Sequence, residues 1–186
     1  MAFPYCLAMV VIVAAGLLHQ LSDAILVDAE VKADEALVNS ICEQTEDYNF
    51  CYSTFDRDPR TPVADRHGLA LISIALNIDV VQETIDRIPK ILESITDPMG
   101  KQRLEACQSD YGAALEKLHG AFKSSSEKSY REVMNWVIDV DNKAIHCEGV
   151  YSSRPPITES PIEDENQKVI KLANITFIII DPFLST

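Results

Sequence analysis

Glycine is scarce in this chain, six residues spread over 186, and the scarcity removes several kinds of organisation. There is no Gly-rich linker, no low-complexity tract and no internal repeat, so composition alone marks no boundary between separate domains. No serine or cysteine stands in the glycine-framed turn that presents a nucleophile. Histidine is sparse as well: His19, His67, His119 and His146 are scattered rather than clustered. The residues therefore point away from an enzyme. Positive charge is also short. Sixteen Lys and Arg stand against 29 Asp and Glu, a formal net charge of −13. That sign argues against nucleic acid or an anionic membrane surface as partner and favours a basic protein, while also serving solubility.

What is present begins with an apolar run over residues 7–18 that carries no charge. It has signal-peptide length and is short of the ~20 residues that a membrane-spanning helix needs. No Lys or Arg precedes it, so the amino terminus is the only early positive charge, and an uncleaved anchor is the competing reading. Ser22 and Ala24 offer a cleavage site before Ile25. This gives a signal peptide over 1–24 and a mature domain over 25–186, long enough for one core. Cleavage removes Cys6, His19 and Asp23, leaving 16 basic and 28 acidic residues, a net of −12. Four cysteines remain, Cys42 and Cys51 nine residues apart, Cys107 and Cys147 forty apart. An even set of thiols in a secreted chain reads as disulfides, but four cysteines allow three pairings and sequence does not choose among them.

The strongest periodicity is helical. Leu71, Ile74, Ile78, Val81, Ile85, Ile88, Leu92 and Ile95 alternate steps of three and four, which is one apolar stripe on a long helix. Pro89 interrupts it, and the lost backbone bond predicts a kink. Asp97 caps the next helix with Pro98 at its first position, and Leu104, Cys107, Tyr111, Ala114, Leu118 and Ala121 form its stripe. A turn is expected at Ser124 to Ser126, then a capping box at Ser129 to Glu132 opening a third helix with Tyr130, Val133, Val137, Val140, Ala144 and Cys147 on one side. After the Pro155-Pro156 loop, Ser160 to Glu163 repeats the box. The last helix, with Val169, Leu172, Thr176 and Ile179 inward, should end near Ile180, before Asp181-Pro182. No segment reads convincingly as a strand. Four amphipathic segments with short breaks predict an all-α, up-and-down four-helix bundle over 61–181, preceded by a helical hairpin over 25–58. A bond between Cys107 and Cys147 would staple two seams of that bundle.

Two patterns resemble metal sites. Glu116-x-x-His119 matches half of a di-metal motif, but no second copy exists and both residues point away from the Leu118 seam. Asp139-Val140-Asp141 opens like a calcium loop, yet Lys143 takes a ligand position and no glycine makes the turn. Neither carries a metal role, and no cofactor is expected.

From about Leu37 to Ile180 the residues resemble the plant invertase inhibitor and pectin methylesterase inhibitor family. The likeness rests on Ile41-Cys42-Glu43-Gln44-Thr45, Tyr48-x-x-Cys51, Asp58-Pro59-Arg60, Gly68-Leu69-Ala70 and the Cys107 to Cys147-Glu148 spacing. Pollen allergens of the invertase-inhibitor type are similar around Asn49-Phe50-Cys51 and after Pro155. The resemblance implies disulfides Cys42–Cys51 and Cys107–Cys147, worth about 2.5 and about 4 kcal/mol by loop entropy. It also implies stoichiometric, non-covalent inhibition of a cell-wall carbohydrate enzyme, in a one-to-one complex formed in the apoplast by a protein that is monomeric when free.

Cell-wall invertase inhibitors carry Asp-Pro-Lys-Phe near the start of the helix that ends at the fourth cysteine, and that segment enters the invertase active site. Here the place is taken by Ser129-Tyr130-Arg131-Glu132, keeping only the basic residue. A tyrosine at this place is common among pectin methylesterase inhibitors. The chain is therefore read as a pectin methylesterase inhibitor, with acid invertase as the alternative target. Tyr130, Arg131 and Met134, with an acidic face at Asp79, Glu83 and Asp86, form the expected interface. Asn174-Ile175-Thr176 is the one glycosylation sequon. A reading of a different class, a secreted helical carrier or signalling bundle, draws on Ile175, Phe177, Ile178, Ile179 and Ile180, which make one helix end apolar all round. Packing between bundle and hairpin explains them more simply.

Overall fold

The computed structural model of the chain describes residues 35–153 and 155–185. The apolar leader and its cleavage site lie outside the described residues. Residues 35–42 are helical (α1) and pair with α2, Tyr48–Asp56. A 3-10 turn at Thr61–Val63 leads to α3, Arg66–Ser94. Then follow α4, Pro98–Ser126, α5, Tyr130–Ser152, and α6, Glu163–Leu184. Among the described residues there is no strand. α3 packs on α4 and α6, and α5 packs on the same two, so α3 and α5 stand at diagonal corners of an up-and-down square. The expected bundle with its helical hairpin is the fold observed.

Local chemistry sets the helix starts. Asp47, Asp65 and Asp97 accept from the backbone N–H of Phe50, Gly68 and Gly100 at 3.0, 2.7 and 2.7 Å, satisfying donors that a helix leaves unpaired. A Cβ at Gly68 would lie 3.0 Å from the Ala64 Cβ, so glycine there permits the tight entry into α3. Asp58-Pro59-Arg60 locks the preceding turn. The Asp58 carboxylate accepts from the Arg60 backbone N–H at 2.9 Å and from its guanidinium at 2.9 and 2.5 Å, and the guanidinium bonds first of all hold its pKa below the usual carboxylate range.

Packing departs from the sequence in its details. The expected stripes of α4 and α6 are buried throughout. In α3, Ile74, Val81 and Ile88 are fully buried, but Leu71, Ile78, Ile85 and Leu92, and Ile95 just past the helix end, are only half-buried. The intervening core places belong to Ser73, Asn77 and Thr84. Each finds a partner, although Asn77 Oδ1 is left without one among the described residues: the Ser73 and Thr176 hydroxyls share a bond of 2.9 Å, the Asn77 amide donates to the Val169 carbonyl at 3.3 Å, and the Thr84 hydroxyl donates to the Val80 carbonyl at 2.7 Å. Paired in this way, short polar side chains can occupy a core. α3 runs unbroken through the exposed Pro89.

Ser124 to Ser126 is no turn. α4 continues through it, with Ser124 and Ser125 buried, and the chain reverses at Glu127 to Ser129, where Lys128 takes φ 59°. The Ser129 box does not form either. Its side chain makes no capping bond, and the Glu132 carboxylate instead accepts from the Ser124 hydroxyl at 3.2 Å. α6 starts at Glu163 without a side-chain cap, because the apolar Ile162 holds the cap position, and the Ser160 hydroxyl accepts from the Ile162 N–H at 3.3 Å. It also runs past Asp181-Pro182 to Leu184, since a proline in a last turn gives up only one helical bond.

Cys42 joins Cys51 within the hairpin, and Cys107 joins Cys147 between α4 and α5, with Cα separations of 5.4 and 4.8 Å. The hairpin sits against α6. Lys171 donates to Asp47 at 2.7 Å and lies 5.2 Å from the centre of the Phe50 ring. A further linkage ties three bundle helices together: the Tyr111 hydroxyl donates to Asn166 Oδ1 at 2.9 Å, and Asn166 Nδ2 donates to Glu148 at 2.7 Å. Burial pushes the Tyr111 phenol well up, so it remains a donor at any physiological pH.

Candidate functional site

The first turn of α5 lies at the end of the bundle where α3 begins and α6 ends. Tyr130 is half-buried there. Its ring stacks on Phe183 with centroids 4.1 Å apart and planes 9° from parallel, and its hydroxyl shares a 3.1 Å hydrogen bond with His67 Nδ1. Burial, and then the nearby Asp65 charge, raise the phenol above its ordinary value. The extension of α6 beyond Pro182 is what supplies Phe183, so the element that sequence reasoning ended early completes the site. Arg131 is exposed beside this stack, and Met134, one turn on, is partly buried against the core. A rigid aromatic pair with one outward guanidinium is therefore presented at this end.

Asp79, Glu83 and Asp86 are exposed on α3, on the side opposite its buried residues. Asp79 is twelve residues along α3 from His67, about 18 Å at helical rise. α3 and α5 are also diagonal, so their outward faces look in opposite directions. The structure does not bring the acidic group and the Tyr130 group into one surface. Asp79 and Glu83 instead line a groove of about 510 Å³ whose wall also holds Arg57 and Lys168, and Asp86 accepts from Gln82 at 2.9 Å.

The remaining sequence candidates fall on ordinary helix. Glu116 and His119 are exposed on α4. Asp139 and Asp141 lie on unbroken α5, with Asp139 paired to Lys117 at 3.2 Å. Among the described residues no group of His, Cys, Asp and Glu could hold a metal ion. Asn174 is exposed on α6, whereas Thr176 of the same sequon is buried. In the apolar end of α6, Ile175, Ile179 and Ile180 are buried, and Phe177 and Ile178 are partly so; that surface is used in packing. Sequence reasoning missed Asp110, a buried carboxylate reached by Lys143 at 3.2 Å and His146 at 2.5 Å. Its place next to the Cys107 seam was the available signal, but its partners come from another helix.

Comparison with known proteins adds identity to this geometry. Residues 36–179 match the family described as plant invertase/pectin methylesterase inhibitor. Pectinesterase inhibitor 5 of Arabidopsis thaliana is 30% identical over 149 residues, 80% of this chain and 83% of that protein. A pectinesterase inhibitor of Actinidia deliciosa is 28% identical over 80% of each chain. A cell wall/vacuolar inhibitor of fructosidase from Arabidopsis thaliana is 26% identical over 77% of this chain and 67% of its own. In solved structures, a mutant form of a pectin methylesterase inhibitor from Arabidopsis superposes with a TM-score of 0.67 at 19% identity, covering 77% of this chain and 95% of that one, a likeness of fold. Members of the matched family inhibit enzymes and are not enzymes themselves. The chain belongs to the plant invertase/pectin methylesterase inhibitor family.

Proposed function

We propose that the mature chain is a secreted inhibitor of a plant pectin methylesterase, acting non-covalently and one-to-one in the cell wall through the first turns of α5. The observation that carries this reading is the inward turn of Tyr130. Where cell-wall invertase inhibitors carry Asp-Pro-Lys-Phe, this chain tucks its aromatic ring between Phe183 and His67. No aromatic protrudes there to enter a narrow sugar pocket. A broad, prefolded end suits an open cleft better, and a preordered surface loses less entropy on docking.

Acid invertase is the second reading, favoured by one observation: Arg131 keeps a basic, exposed residue where those inhibitors carry lysine. Arg131 is also the cleaner probe. Tyr130 packs within the fold, so its removal would mix stability with binding, whereas an exposed guanidinium outside the core does not. Arg131→Ala is expected to weaken inhibition of pectin methylesterase by about tenfold or more, within the range of an interface anchor, with an unchanged melting temperature. Inhibition equal to wild type would show that this turn is not the docking site.

A further inference from the structure

Beyond Met134, the same flank of α5 continues through Ile138, Asp141 and Ile145, spaced at four, three and four residues and so aligned along the helix. Ile138 and Ile145 are 42% and 50% exposed, two large apolar side chains left on the same flank of one helix. Asp141 borders a groove of about 240 Å³ between α5, α6 and the hairpin turn, the liquid share of about eight waters. Ile170 and Phe177 supply apolar lining, and Thr45, Glu46 and Asn174 also border it.

The charges in this groove are unbalanced. Its one cation, Lys171, already donates to Asp47 at 2.7 Å. Glu46 and Asp141 are left without a cation, and among the described residues Asp141 has neither an ion pair nor a hydrogen bond. Burial pushes its carboxyl above the ordinary range with nothing to pull it back. A half-buried, unpaired charge costs stability, and this bundle carries it beside an apolar lining.

We propose that this groove is an anchor site for a Lys or Arg side chain of a basic partner protein, with the aliphatic stem on Ile170 and Phe177, the cationic head on Asp141, and Ile138 and Ile145 covered by the partner around it. Long basic side chains combine an apolar stem with a charged head, and the acidity of the whole chain would draw a partner of opposite sign. The proposal rests on the reading of the chain as an inhibitor of a cell-wall enzyme and extends its docking surface two turns along α5.

The test compares wild type, Asp141→Asn and Glu93→Gln, the last an exposed site on α3, for inhibition and for melting temperature. Inhibition is measured against pectin methylesterase and acid invertase separately. Asp141→Asn is expected to weaken inhibition at least tenfold, as loss of one member of a desolvated charge pair does, while the melting temperature stays level or rises. Glu93→Gln should match wild type. Asp141→Asn that inhibits within twofold of wild type overturns the anchor site, and a lowered melting temperature overturns it too, by showing that the carboxylate supports the fold. The choice of enzyme is decided by wild type alone. Inhibition of invertase only would overturn the pectin methylesterase reading and leave the groove to be judged on invertase. Inhibition of neither enzyme overturns both.

Discussion

Lys128 holds a left-handed backbone position, φ 59°, at the end of α4. The bonds around it, Lys128 N–H to the Ser125 carbonyl and Ser129 N–H to the Ser124 carbonyl, each 2.8 Å, are the pair that closes a helix with glycine. A lysine there suffers crowding between Cβ and the carbonyl of about 1–2 kcal/mol, partly offset by the chain entropy a glycine would lose. Lys128→Gly is expected to stabilise the fold by about 1 kcal/mol, seen as a rise of about 2–4 °C in melting temperature for a chain of this size. A fall would mean that the lysine side chain makes a compensating contact. At this scale the sequence was legible where a local bond has no competitor: Asp97 caps Gly100 three residues on, whereas the Ser129 box fails because Glu132 accepts from Ser124 of the preceding helix. Tyr130 was not legible, because its partners are His67, 63 residues upstream, and Phe183, on a turn expected to have ended.

Helices were read from the period of their apolar residues, and their number and order follow from it. Their exact phase does not. In α3 the apolar residues run wider than the buried strip, and Ser73, Asn77 and Thr84 occupy the core instead. A hydrophobicity pattern cannot mark a polar residue that is buried because a partner satisfies it, as Thr176 of α6 does for Ser73 and the Val80 carbonyl does for Thr84. The Tyr111–Asn166–Glu148 linkage across α4, α6 and α5 is the same phenomenon, with Asn166 fully buried. Asn166→Ala would remove the acceptor of the buried Tyr111 hydroxyl and a donor to the half-buried Glu148, and losing such bonds in a core costs about 1–3 kcal/mol. Chemical denaturation should therefore show a loss of about 2 kcal/mol or more. A change within about 0.5 kcal/mol, the usual effect of a surface substitution, would contradict the role given to this linkage.

For the molecule as a whole, two disulfides, a hairpin held on α6 and a polar linkage across the core describe a body whose surface is set before any partner arrives. Its charge of −13 is spread over most helices rather than gathered on one acidic face, and the Asp79 group turned out to lie diagonally opposite the Tyr130 end. Sequence could supply the sign of the charge, since that is a sum over residues, but its placement needs the packing of helices far apart in the chain. Steering by such a field weakens as salt is added, chiefly through the association rate. The most direct test of the central claim is a titration of purified mature protein against a plant pectin methylesterase and an acid invertase, with residual activity followed as inhibitor is added. The account predicts that pectin methylesterase activity falls linearly to an end point at one inhibitor per enzyme and that binding slows with added salt. Full pectin methylesterase activity at excess inhibitor, with or without loss of invertase activity, would contradict it.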